Sequence, residues 1–204
     1  MFCIVCTGGI GSGKSYTIKI FEKLGIPAYV ADKMAKELYN TDLVLLSQMA
    51  HLLGDDIVEN GVLRRDIVAS KIFPNPHLLE KVNSIVHPRV LNHFKEWQSQ
   101  KVREGFNVVI FESAIFFESP VFYPIADCIV VVTAPEDVRV TRVVKRDKLT
   151  PQQVYERISR QSSDSEKLSK ADFVIFADGK KAVLPQIMDI IGALEKRWDI
   201  KIVN

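Results

Sequence analysis

The chain has 204 residues, 47% of them hydrophobic and 25% charged, with a net charge of +2. Those figures suit one globular domain with room for a substantial core and for inserted lobes, and they exclude a uniformly basic nucleic-acid binder. No apolar stretch nears the roughly 20 residues that span a bilayer, the start lacks the pattern of a secretion signal, and three cysteines are an odd number for a disulfide framework. A cytoplasmic protein without nucleic-acid or membrane partners is expected.

Phe2 to Cys6 is a short unbroken apolar run, as in a strand buried on both faces of a parallel sheet. Cys3 and Cys6 spell C-x-x-C, but three steps along a strand put them on opposite faces and no second pair completes a zinc set. Buried free thiols are expected. Gly8 to Ser15 then reads GGIGSGKS, which fits G-x-x-x-x-G-K-[ST]. In that pattern a glycine-rich turn aims backbone N–H groups at an anion, and the following helix adds the positive end of its dipole. Ile18, Ile20, Phe21 and Leu24 recur behind it at helical spacing. The candidate nucleotide-binding set is therefore Gly9, Ile10, Gly11, Ser12, Gly13, Lys14, Ser15 and Tyr16. Lys14 is expected to reach the β- and γ-phosphates of ATP and Ser15 the accompanying Mg²⁺. A dinucleotide fingerprint fails on spacing, since G-x-G-x-x-G needs glycine at Lys14 or Tyr16.

The stretch IPAYVAD reads as a second strand ending at Asp32, and strand C-termini in such sheets face the ligand crevice. From Met34 to about Gln100 the composition turns helical, with Gly54, Gly61, Pro74, Pro76 and Pro88 as separators. One helix would suffice to connect two parallel strands, so the surplus predicts a lobe over the crevice where an acceptor binds. Strands resume with NVVIFES and CIVVVTA. Glu112 ends the first of these, where a phosphate-loop protein places its second magnesium partner, normally through water. The basic run of Arg139, Arg142, Lys145, Arg146, Lys148, Arg157 and Arg160, broken by Pro151, predicts a helix-turn-helix flap able to offer one or two guanidinium groups to the migrating phosphoryl group. ADFVIFAD is a last strand, followed by a core-facing helix from about Lys181 to Arg197. The resulting division is a core of about 1–32, 105–138 and 170–204, a helical lobe of about 33–104 and a lid of about 139–169.

GGIGSGKS, the Ala31-Asp32 pair before KMAKELY, the HPR tripeptide at His87 to Arg89, FFES after a strand, RVVKRDKLTPQQVYERISRQ and then ADFVI occur in one order. This combination resembles the dephospho-CoA kinase family over nearly the whole chain. The resemblance implies an α/β fold, a P-loop NTPase-type parallel sheet flanked by helices, with a helical substrate-binding lobe and a helical lid. It implies transfer of the γ-phosphoryl of ATP, with Mg²⁺, to the ribose 3′-hydroxyl of dephospho-CoA. Asp32 is then the base at the acceptor hydroxyl, with Lys14 and Arg146 as its catalytic companions. Lys36, Arg65, His87 and Glu112 belong to the acceptor side, and Arg142 and Arg146 to the nucleotide. Tyr16, Ala114 and Ala177 stand where the family commonly has Thr, Pro and Asn, the last bearing on the adenine-side contact. The alternative is another P-loop nucleotide, nucleoside or small-metabolite kinase. A Ras-type GTPase is excluded, because no asparagine is followed by lysine.

Overall fold

A computed structural model describes residues 1–202. The chain forms two compact units, one made of Met1–Val30 together with the chain from Gln98 onward, the other of Ala31–Trp97. Elements are numbered in chain order across both: β1 (Phe2–Thr7), α1 (Lys14–Lys23), β2 (Ala28–Val30), α2 (Ala31–Thr41), α3 (Leu43–Leu53), β3 (Val58–Glu59), β4 (Val62–Leu63), α4 (Arg65–Ile72) and α5 (Pro76–Arg103). There follow β5 (Val108–Glu112), β6 (Cys128–Thr133), α6 (Glu136–Asp147), α7 (Pro151–Ile158), α8 (Asp164–Ser169), β7 (Phe173–Phe176) and α9 (Val183–Trp198).

The discontinuous unit is built on a five-stranded sheet in the order β2-β5-β1-β6-β7, every pairing parallel. The apolar runs account for this order. Residues 3–7 of β1 and all of β5 are buried, which only interior strands covered by helices on both faces can be. Ile4, Cys6, Ile110, Val130 and Ile175 pack with Ile18 and Phe21 of α1 and with Ile187, Ile190, Ile191 and Leu194 of α9. Burying such a side chain stabilises by roughly 1.5–3 kcal/mol. Cys3, Cys6 and Cys128 are free and buried, and burial raises each thiol pKa, so they serve as small core hydrophobes. The parallel sheet flanked by helices that the sequence pattern predicts is thus present. Because all strands run the same way, Thr7, Glu112 and Thr133 end on one rim, and the glycine loop leaves the sheet there.

The continuous unit holds α2, α3, α4, the main part of α5 and a small antiparallel hairpin, β3 with β4. Three sequence expectations need correction here. Gly61 does not merely separate helices: Asn60 and Gly61 both have positive φ (52° and 75°), the two-residue turn that an Asn-Gly pair favours between paired strands. Pro88 does not end a helix either, but lies inside the 28-residue α5. A proline there forfeits a backbone hydrogen bond at a cost of about 3 kcal/mol, and the buried stripe Val82, Val86, Val90 and Phe94 runs through it and offsets that cost. Finally, Asp32 lies in the first turn of α2, past the end of β2 at Val30.

Among the described residues, no helix is long and apolar enough to cross a membrane.

Candidate active site

The glycine loop joins the buried end of β1 to the N-terminus of α1, and its conformation demands glycine. Gly11 and Gly13 have φ of +77° and +110°. A Cβ at Gly13 would stand 2.9 Å from the Ala177 Cβ, and one at Gly9 would stand 2.8 Å from the Arg139 guanidinium. The backbone therefore lies against its neighbours more closely than any side chain permits. Lys14 is buried and donates from Nζ to the carbonyl oxygens of Gly8 (2.8 Å) and Gly9 (3.2 Å), which folds its ammonium back over the loop. Thr7 Oγ1 and Ser12 Oγ are buried hydroxyls without a hydrogen-bond partner among the described residues. Leaving such a group unsatisfied costs about 1–3 kcal/mol, which a polar occupant of the loop would recover.

Beside the loop lies a cleft of about 200 Å³, lined by Gly13, Lys14, Ser15, Tyr16, Arg142 and Arg146 among others. A second, of about 450 Å³, shares Gly13, Tyr16 and Arg142 and continues to Ala177 and Lys181. Together they gather most of the predicted nucleotide set. Arg142 donates from Nη2 to the Ala177 carbonyl (2.7 Å) and from Nη1 to that of Gly11 (3.3 Å), so it bridges loop and last strand. Arg146 lies at the cleft edge, but its guanidinium forms two hydrogen bonds to its neighbour Asp147 (2.7 and 2.9 Å). Asp147 is also 3.7 Å from Arg157, and its carboxyl pKa is lowered chiefly by the bond from Arg146. Glu112 ends β5 beside Cys6 and is itself buried. Lys14 and Glu112 both act electrostatically on the Cys6 thiol, which places both at this rim. The Ser15 hydroxyl and the Glu112 carboxylate are hard oxygen donors, and the donor chemistry fits a magnesium ion carried by a polyphosphate.

In the continuous unit a separate group forms around α2. Arg65 donates to the Lys36 carbonyl (2.9 Å). Tyr39, half-buried, has its phenol pKa raised by burial, with Arg65 opposing and Asp32 adding to the rise. His87 is half-buried; burial lowers its imidazole pKa, and the Asp32 carboxylate partly reverses this. Asp32, Lys36, Arg65 and His87, scattered over α2, α4 and α5, thus form one electrostatic group, in which Arg65 contacts Lys36 and the Asp32 charge reaches His87. Tyr39 belongs to it as well, and sequence reasoning passed it over.

Beneath the glycine loop lie buried polar groups: Arg139, which the sequence placed in the basic run of the flap, and Lys167, which sequence reasoning passed over. Arg139 is 2% exposed; it donates from Nε to the Ile10 carbonyl (3.1 Å) and from Nη1 to Asp164. Lys167 is 1% exposed, donates to the Ser162 carbonyl, and has its pKa lowered by burial, with Glu118 and Asp164 opposing. A signal existed for Arg139: with Val140 and Val143 it occupies the buried stripe of α6, where a charge needs a partner.

A family model described as dephospho-CoA kinase matches residues 2–182. A dephospho-CoA kinase of Bacteroides fragilis is 40% identical over 94% of this chain and 92% of its own length. That of Porphyromonas gingivalis is 38% identical over 97% and 96%. A crystal structure from Thermus thermophilus, 27% identical, superposes with a TM-score of 0.82 over 94% of this chain and 96% of its own.

Proposed function

Because the chain belongs to the dephospho-CoA kinase family, we propose that its two groups of polar residues divide the work of one phosphoryl transfer, ATP on the glycine loop and dephospho-CoA in the continuous unit. The reaction moves the γ-phosphoryl of ATP to the ribose 3′-hydroxyl of the acceptor. Lys14 leaves the Gly8 and Gly9 carbonyls to follow the β- and γ-phosphates, where its charge offsets that developing in the transition state. Ser15 and, through water, Glu112 would hold the Mg²⁺, which would neutralise charge on the phosphate oxygens. Arg142 flanks the base and sugar side. Arg146 exchanges Asp147 for phosphate as the lid of α6, α7 and α8 closes.

The observation that carries the acceptor assignment is the hydrogen bond from Arg65 to the Lys36 carbonyl, together with the reach of the Asp32 charge to Tyr39 and His87. A ribose hydroxyl is a poor nucleophile at neutral pH. Asp32 orients it and accepts its proton as the new P–O bond forms, a contribution of roughly 10² to 10⁴ in rate. Lys36, Arg65 and His87 bind the remainder of the acceptor. The three buried thiols support a reducing, cytoplasmic setting.

Asp32→Asn tests the assignment. The variant keeps a helix-start side chain of the same size, so Tm and ATP affinity should hold while turnover of dephospho-CoA falls at least about a hundredfold. Turnover near the wild-type rate would reduce Asp32 to a helix-start residue. A panel of nucleosides, nucleotides and dephospho-CoA assayed with wild-type protein, following ADP release, tests the acceptor itself.

A further inference from the structure

Gln161 closes the basic RISRQ stretch, three residues past the end of α7, and nothing above gives it a role. Its side-chain amide has two partners that lie far apart in sequence. Oε1 accepts from the backbone N–H of Ile10 (2.9 Å), and Nε2 donates to the Ala114 carbonyl (3.2 Å). One end therefore grips the glycine loop, and the other grips the turn that follows Glu112. The next peptide is held as well, since the Ile10 carbonyl accepts from the buried Arg139. Arg139 in turn is fixed by Asp164, three residues beyond Gln161. Next to Gln161, the Ser162 N–H donates to Glu118 (2.5 Å), and the Ser162 carbonyl accepts from the buried Lys167. Both backbone groups of Ile10 are thus committed to side chains, and those side chains are themselves tied down.

A loop with four glycines has many conformations to lose when it closes around a polyphosphate. Binding is tighter where that ordering is completed before the ligand arrives. We propose that Gln161 is a positioning residue for the nucleotide: its amide, with Arg139, preforms the phosphate loop by holding the two peptides on either side of Ile10. The amide is suited to this because it presents an acceptor to an N–H and a donor to a carbonyl from the same planar group. Glutamate keeps the first of these bonds and loses the second; methionine, of similar size, loses both.

The test combines hydrogen exchange of the ligand-free protein with kinetics, using Gln161→Met, Gln161→Glu and, should Gln161→Met fail to fold, Gln161→Ala. In Gln161→Met the Ile10 and Gly11 amides should exchange faster while the rest of the sheet keeps its protection, and Gln161→Glu should restore the slow exchange of Ile10. KM for ATP should rise about three- to tenfold in Gln161→Met, the loss of one hydrogen bond of ordinary worth, with KM for dephospho-CoA unchanged. Because the proposal rests on the nucleotide reading of the loop, ATP affinity is also measured directly by calorimetry, without acceptor. A wild type that binds ATP but does not phosphorylate dephospho-CoA would then fail the acceptor reading alone. Wild-type exchange at Ile10 in a folded Gln161→Met, an equal rise in both KM values, or a loss that follows the fraction unfolded would each overturn the proposal.

Discussion

At the scale of single residues, His87 ties stability to pH. Burial holds its imidazole below the ordinary value of about 6.5, with Asp32 pulling the other way. The folded protein therefore binds this proton less readily than the unfolded chain. As pH falls from about 7 through the ordinary value, the unfolded state takes up a proton that the folded state resists, and stability declines until the folded pKa is passed. His87→Gln removes that proton, so its Tm should fall less than that of the wild type between about pH 7 and about pH 5.5. Superimposable Tm profiles from scanning calorimetry would contradict this. Lys14 and Ser15 could be read from the sequence because a local motif dictates their chemistry. The Asp32–Tyr39–Arg65–His87 neighbourhood could not, because it exists only once α2, α4 and α5 have packed. Tyr39 in particular looked like any aromatic on an amphipathic helix.

Among elements, α7 is the one whose start is written most plainly. Thr150 accepts from the Gln153 N–H, the Gln153 side chain returns a bond to the Thr150 N–H, and Pro151 occupies the first helical position. That reciprocal pairing satisfies two helix-start donors at once. Thr150→Ala should cost about 1 kcal/mol. For a chain of this length that lowers Tm by roughly 2–4 °C, measurable by calorimetry, and Thr150→Ser should recover most of it. The β3–β4 hairpin was equally legible in principle, since Asn60-Gly61 sits between Val-Glu and Val-Leu. Two-residue strands carry too little alternation to stand out against a helical background. Pro88 misled for the opposite reason: local propensity forbids it in a helix, and the buried stripe of α5 overrides propensity.

For the whole molecule, what the sequence carried best was the parallel sheet, because five short apolar runs have few other ways to be covered. Strand order was another matter. β1 has β5 on one side and β6 on the other, and neither lies next to it in the chain. The insertion of Ala31–Trp97 between β2 and β5 has a consequence for synthesis on the ribosome. The phosphate loop is translated well before its partners, since β5 begins only at Val108, β6 ends at Thr133, and Gln161 comes later still. The N-terminal strand must wait, exposed and apolar, while a self-contained block emerges and folds behind it. Nascent chains stalled with about the first hundred residues outside the tunnel should accordingly be cut by protease within residues 2–30 and retain no ATP, while residues 31–97 resist. Chains stalled once β7 is out should be protected throughout. Early protection of residues 2–30 would mean that the first strand finds temporary cover. Without such cover, every molecule of this kinase passes through an interval in which a chaperone has an apolar N-terminal strand to hold.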